Sequence, residues 1–197
     1  MAYLQPLSAT HHPDLIDSFS VFERILGFVP NSMLTMQRCP EIVKGFTVLT
    51  EAVMSPHGSV DMGFKRLIAH FASKAAGCRY CEAHSLVAAK IHGVSDEKVA
   101  AVWDYKTNGL YTEAERVALD FALAAGSVPN GVDEALMINM KHYWSEQEIV
   151  EILAAVCLYG FLNRWNDSMA TDLEEPPKAL ADTVLKGHGW TAGKHLS

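Results

Sequence analysis

The sequence predicts an all-α protein on three observations. Apolar residues recur at three- and four-residue steps along almost every long segment, the spacing that gathers them on one face of a helix. No stretch alternates apolar and polar residues for long, as a half-buried strand requires. Two capping boxes, Thr112-Glu113-Ala114-Glu115 and Ser145-Glu146-Gln147-Glu148, stand before apolar runs. They mark helix starts, because the hydroxyl and the N3 carboxylate each accept from a first-turn amide that has no partner inside the helix.

The elements follow in order. A first helix is expected over about residues 14–26, with Leu15, Phe19, Phe22 and Leu26 along one stripe and Gly27-Phe28-Val29-Pro30-Asn31 ending it. A second spans about 40–54, where Pro40 suits the first helical position. After the breaker Ser55-Pro56-His57-Gly58, a third begins near Val60 and turns Phe64, Leu67, Ile68 and Phe71 to the core before Gly77. Cys78 follows at once, and the next helix runs through His84 to about His92, stopped by Gly93. Ser95 then caps a short helix over 96–104. The capping boxes open helices reaching about Ala125 and Met169, and another is expected over 132–142 between them. Residues 173–197, with Pro176-Pro177 and three later glycines, read as an irregular arm that lies over a neighbour or frays. No Gly/Ser-rich linker or charge block separates two units, so a single domain is expected over 1–197.

Composition narrows the function. The 197 residues are 49% hydrophobic and 20% charged, as in a globular chain. Sixteen Lys and Arg against 23 Asp and Glu leave a formal charge of −7, with no basic excess to release counterions from nucleic acid. No apolar run approaches the roughly 20 residues that cross a bilayer, and the first residues lack a secretory leader pattern. A cytoplasmic location is the expectation. A phosphate-binding glycine loop, a nucleophile elbow and an H-E-x-x-H pair are not found, and no cofactor or metal is expected.

Of the four cysteines, Cys39 and Cys157 are expected to be packed core residues, whereas Cys78-Arg79-Tyr80-Cys81 places two thiols at a helix start. Cysteines three apart there lie on one side of the helix, close enough to bridge with modest adjustment. First-turn amides favour negative charge, so a thiolate pKa below the free value of about 8.5 is expected. His84, one turn on, can exchange a proton near neutral pH. Three readings compete for the cluster: a dithiol redox centre, a zinc site built on Cys78, Cys81 and His84 that lacks a fourth ligand, and small residues buried in a packing seam.

The run Lys65-Arg66-Leu67-Ile68-Ala69-His70-Phe71-Ala72-Ser73-Lys74-Ala75-Ala76-Gly77-Cys78-Arg79-Tyr80-Cys81-Glu82-Ala83-His84, continuing to Gly93-Val94-Ser95-Asp96-Glu97-Lys98, resembles the core of the carboxymuconolactone decarboxylase family. More narrowly it resembles the alkylhydroperoxidase D-like, peroxidase-related branch. Gly27-Phe28-Val29-Pro30-Asn31, Thr112-Glu113-Ala114-Glu115-Arg116 and Phe161-Leu162-Asn163-Arg164-Trp165-Asn166-Asp167 are similar to that branch's flanks. The resemblance covers about residues 20 to 172.

It implies a multi-helix bundle that assembles into dimers, trimers or hexamers, and a peroxidase cycle on hydrogen peroxide or organic hydroperoxides without haem, flavin or metal. In that cycle Cys81 is peroxidatic and Cys78 resolving, and a dithiol or thioredoxin-like donor reduces the resulting disulfide. The family also contains decarboxylases of a lactone, which do not rely on the cysteine pair, and a non-catalytic redox-responsive scaffold is a further alternative. The better-known pattern has a glutamate twelve residues before the first cysteine and a histidine four after the second. Here those positions are Arg66 and Ser85. His84 sits about 100° away around the helix, and His70 lies one turn beyond Arg66. A relay of His70 and His84 is therefore expected, with Arg66 favouring the thiolate.

Elsewhere, Arg164 is expected to pair with Asp167 and also stands as a lining residue of the cysteine pocket, with Trp165 in an interface. Trp190, Lys194 and His195 are expected to lock the arm onto another subunit. Glu82 is expected to be solvated.

Overall fold

The computed structural model describes residues 2–196, and among these every regular element is helical. A one-turn 3-10 helix, Pro13–Leu15, leads into α1 (Ile16–Leu26), which Gly27 ends at φ 83°. Next come α2 (Asn31–Met36) and α3 (Pro40–Val53). The centre of the molecule is α4 (Met62–Ala76), started by the Asp61 carboxylate accepting from the Phe64 amide at 2.8 Å. Residues 63–73 of α4 are buried, because α5 (Arg79–Ile91), α7 (Glu113–Gly126) and α9 (Glu146–Met169) enclose it. Gly63 lets this core helix approach its neighbours: a Cβ there would meet the His92 carbonyl oxygen at 2.8 Å. The short α6 (Asp96–Ala100) is capped by Ser95, and α8 (Glu134–Tyr143) by Asp133. Both expected capping boxes are formed, at Thr112 and Ser145.

Three elements depart from the sequence reading. The helix expected over 96–104 stops at Ala100 and gives way to a 3-10 turn, Val102–Asp104. The six residues of α2 are too short to show a period of their own. The C-terminal arm is not irregular, for it contains α10 (Glu175–Val184) and two 3-10 turns. Pro176 and Pro177 fall in the first turn of α10, where a missing N–H breaks no intrahelical bond. The arm packs on α5 of its own chain. Trp190 is buried, Lys194 pairs with Asp167 at 2.9 Å, and the His195 imidazole donates to the Thr171 carbonyl at 2.8 Å. The anchoring groups expected to grip a neighbour are thus used within one chain. No helix among the described residues is long and apolar enough to cross a membrane.

Candidate active site

Gly77 ends α4 in the left-handed conformation, and the chain turns directly into α5 with Cys78 as its cap. The Cys81 amide donates to Cys78 Sγ at 3.4 Å, so the two side chains share the first turn. Cys81 is 2% exposed and Cys78 fully buried. Burial pushes the Cys81 thiol well above its ordinary pKa, and Cys78 raises it further. The Asn166 amide, donating to Cys81 Sγ at 3.5 Å from α9, opposes this. The expectation of a depressed thiol pKa is therefore overturned: loss of solvent outweighs the first-turn amides, and Cys81 rests as a thiol.

Cys81 lines a cavity of about 50 Å³ walled mainly by Phe22, Leu26, Met33, Phe46 and Leu158, with Arg66, His84, Tyr159 and Asn166 as polar members. Cys78 lies behind this wall. His84 reaches the cavity from α5, stacked on Tyr80 with ring centres 4.0 Å apart. Its Nδ1–H donates to the Tyr80 carbonyl at 2.9 Å, and its Nε2 lies 2.9 Å from Glu174 Oε2. Glu174 precedes α10 and also accepts from the Asn31 amide at 2.5 Å and the Tyr80 hydroxyl at 3.0 Å. Burial raises the Glu174 pKa, but His84 and the Asn31 amide outweigh it and hold the carboxyl below its usual value.

Arg66 is 3% exposed, and its Nη1 reaches the Tyr159 hydroxyl at 3.5 Å. His70, one turn on, faces away from the cavity. Its Nδ1–H donates to the Glu82 carbonyl at 2.9 Å and its ring lies 5.3 Å from that of Trp103. Complete burial lowers its pKa to about 4. Ser85 contacts the same imidazole at 3.4 Å and donates to the Cys81 carbonyl at 2.7 Å.

Four further expectations are corrected. Glu82 is fully buried rather than solvated, between Arg79 Nη1 at 3.2 Å and Lys74 Nζ at 3.8 Å, and burial raises its pKa against those two cations. Cys39 and Cys157 are exposed rather than core. Arg164 does not pair with Asp167, which Lys194 takes, and donates instead to the Gly160 carbonyl at 3.4 Å. Nor does it line the Cys81 cavity. With Cys157, Phe161 and Trp165 it borders a separate groove of about 880 Å³. Sequence reasoning missed Glu174 and Tyr159. Glu174 has no spacing relation to the cysteines, and Tyr159 sits in an apolar run that reads as core. Among the described residues no group of three or more His, Cys, Asp or Glu side chains is arranged to hold a metal ion.

The model of the carboxymuconolactone decarboxylase family matches residues 40–124. Among solved structures, the debrominase Bmp8 is 35% identical over 92% of this chain and 96% of its own, with a TM-score of 0.88, in a cysteine-to-alanine variant complexed with 2,3,4-tribromopyrrole. A peroxidase-related protein from Ralstonia eutropha JMP134 with the alkylhydroperoxidase AhpD core shares the fold at a TM-score of 0.72 and 20% identity, over 86% of this chain and 90% of its own. YnjA of Escherichia coli K12 is 33% identical over 93 residues, 47% of this chain, and the match spans half of that curated relative's length.

Proposed function

The chain belongs to the carboxymuconolactone decarboxylase family, and on that premise we propose that it is a two-thiol reductase of small, apolar electrophiles, organic hydroperoxides before hydrogen peroxide. One observation carries this: of the two paired thiols, Cys81 forms part of an apolar cavity wall while Cys78 waits behind it in the same helical turn. A cavity of about 50 Å³, of the order of one or two waters at ~30 Å³ each, holds the reacting end of such a substrate.

Cys81 gives up its proton to the His84–Glu174 pair in its form with a neutral imidazole, which takes the proton at Nε2 beside the Glu174 carboxylate, and the thiolate attacks the electrophilic oxygen of the hydroperoxide. An S–O bond forms, the O–O bond breaks, and the alkoxide takes a proton to leave as the alcohol. Cys78 then attacks the Cys81 sulfur, the S–S bond forms, and hydroxide departs as water. An external dithiol returns both thiols. In this scheme Arg66 steadies the developing thiolate, while His70, held on the Glu82 carbonyl away from the cavity, buttresses the α5 turn and takes no proton from Cys81.

A second substrate class is favoured by the similarity to Bmp8 over nearly the whole chain. With a brominated heterocycle the thiolate takes the bromine, the C–Br bond breaks, and the carbanion is protonated. Cys78 then displaces bromide from Cys81 to give the same disulfide. Reduced protein is to be mixed with cumene hydroperoxide, hydrogen peroxide or 2,3,4-tribromopyrrole, and followed by intact mass, thiol titration and product. Expected are a Cys78–Cys81 disulfide, recovery with dithiothreitol and catalytic turnover with at least one organic substrate. Cys81→Ser abolishes the reaction, and Cys78→Ser halts after the first attack. Turnover unaffected in Cys81→Ser refutes the proposal.

A further inference from the structure

Arg66 stands apart from every other charged group around the site. Glu174 is balanced by His84, Glu82 by Arg79 and Lys74, and buried Lys65 by Glu151 at 2.9 Å. Arg66 has no carboxylate within ion-pair distance among the described residues. Its Nη1 touches only the Tyr159 hydroxyl, at 3.5 Å, and its Nε and Nη2 are buried with no protein acceptor. An uncompensated buried guanidinium is costly. Cys81 does not relieve it at rest, since its sulfur remains a protonated thiol.

The two idle nitrogens are not arbitrary. Nε and Nη2 form one edge of the guanidinium plane, two parallel N–H donors spaced to grip both oxygens of a carboxylate. Arg66 is also a wall residue of the cavity that contains Cys81, the one Arg or Lys in a lining that is mostly apolar. We propose that this pocket selects small apolar carboxylates, the Nε–Nη2 edge of Arg66 clamping the carboxylate while the electrophilic group is presented to Cys81. The assignment rests on the two-thiol reductase reading only for what happens after binding. The clamp itself operates without turnover.

The test uses the full chain, fully reduced, with benzoate and its neutral isostere benzamide as probes. Isothermal titration is expected to show benzoate bound at least about tenfold more tightly than benzamide, the difference that hydrogen bonds to a charged group confer. Benzoate is also expected to inhibit turnover of neutral cumene hydroperoxide competitively. Arg66→Gln removes the preference, and Arg66→Lys, which keeps the charge but loses the planar fork, retains only part of it. Equal binding of the two probes to the wild-type protein overturns the proposal without any variant, so a folding defect in Arg66→Gln does not protect it. Hydroperoxide turnover with no benzoate effect overturns the clamp and leaves the reductase reading standing. A clear benzoate preference in a protein that forms no Cys78–Cys81 disulfide upholds the clamp and removes the reductase.

Discussion

Replacing Glu174 tests whether the C-terminal arm is part of the site's electrostatics or only a cover. Glu174→Ala removes the acceptor for the Asn31 amide at 2.5 Å and the Tyr80 hydroxyl at 3.0 Å, and the anion 2.9 Å from His84 Nε2. Breaking a buried ion pair from one side costs about 3–5 kcal/mol. Because the Glu174 side chain keeps 15% of its exposure, the lower end applies, about 3 kcal/mol. With a urea m-value of about 2 kcal/mol/M, that lowers the unfolding midpoint by about 1.5 M. Glu174→Gln preserves shape and one acceptor oxygen, so it loses less, on the order of 1–2 kcal/mol. The acid dependence gives a second readout. The folded carboxyl has its pKa below the ordinary 4.5, so its stabilisation is fully present above that pH and is lost as pH falls through the folded value. The gap between wild type and Glu174→Gln is therefore widest at neutral pH and closes below 4.5. A midpoint shift in Glu174→Ala under about 0.25 M, or a gap that persists undiminished at low pH, refutes the reasoning.

Three other outcomes are expected. His70 is held neutral by burial with its pKa reduced from 6.5 to about 4, so the unfolded chain binds a proton first on acidification. At about 1.4 kcal/mol per pH unit the wild type approaches a loss of 3 kcal/mol across that interval, which His70→Gln lacks; parallel stability curves for the two proteins contradict this. Lys65→Ala leaves Glu151, whose pKa lies at about 2 through Lys65 and the Ser59 and Val60 amides despite burial, without its cation. The expected loss is about 2–3 kcal/mol at pH 7, shrinking as pH falls below 4.5, as chemical denaturation across that range will show. With a thiol reagent at neutral pH, Cys39 and Cys157 react first and Cys81 accelerates only in alkali or on unfolding; early labelling of Cys81 in a peptide map contradicts its burial.

What could be read from sequence was what is local. Helix starts at Ser95, Thr112 and Ser145 depend on residues three positions apart, and each formed as the spacing required. Cys78 as the cap of α5 was legible for the same reason, since Gly77 and the following helical period fix it. The pKa of Cys81 was not, because it depends on how deeply α4 and α9 bury that turn. Glu82 misled similarly. A charged residue between a cysteine and a histidine reads as solvated until Lys74, from the preceding helix, is seen to close over it.

The departures at Arg66 and Ser85 show how sequence position and chemistry separate. A glutamate in the Arg66 position would place a carboxylate on the central helix, near the thiols. Arg66 places a cation there instead, and the carboxylate that the histidine needs comes from Glu174, more than ninety positions downstream of Cys81 and carried in by the arm. His84 is one residue earlier than the resembled pattern, which rotates it towards Tyr80 and the arm. The two changes fit together: a histidine moved about 100° around α5 meets a carboxylate from a different element, and the vacated side of the cavity is free to hold a positive charge. Restoring either residue alone should therefore fail. Arg66→Glu adds an anion 12 residues before Cys78 while position 85 still carries serine in place of the histidine, and raises the Cys81 thiol further by like-charge repulsion of its anion. Slower turnover in Arg66→Glu than in Arg66→Gln is the expected outcome, and equal or faster turnover would falsify this coupling of Arg66, His84 and Glu174.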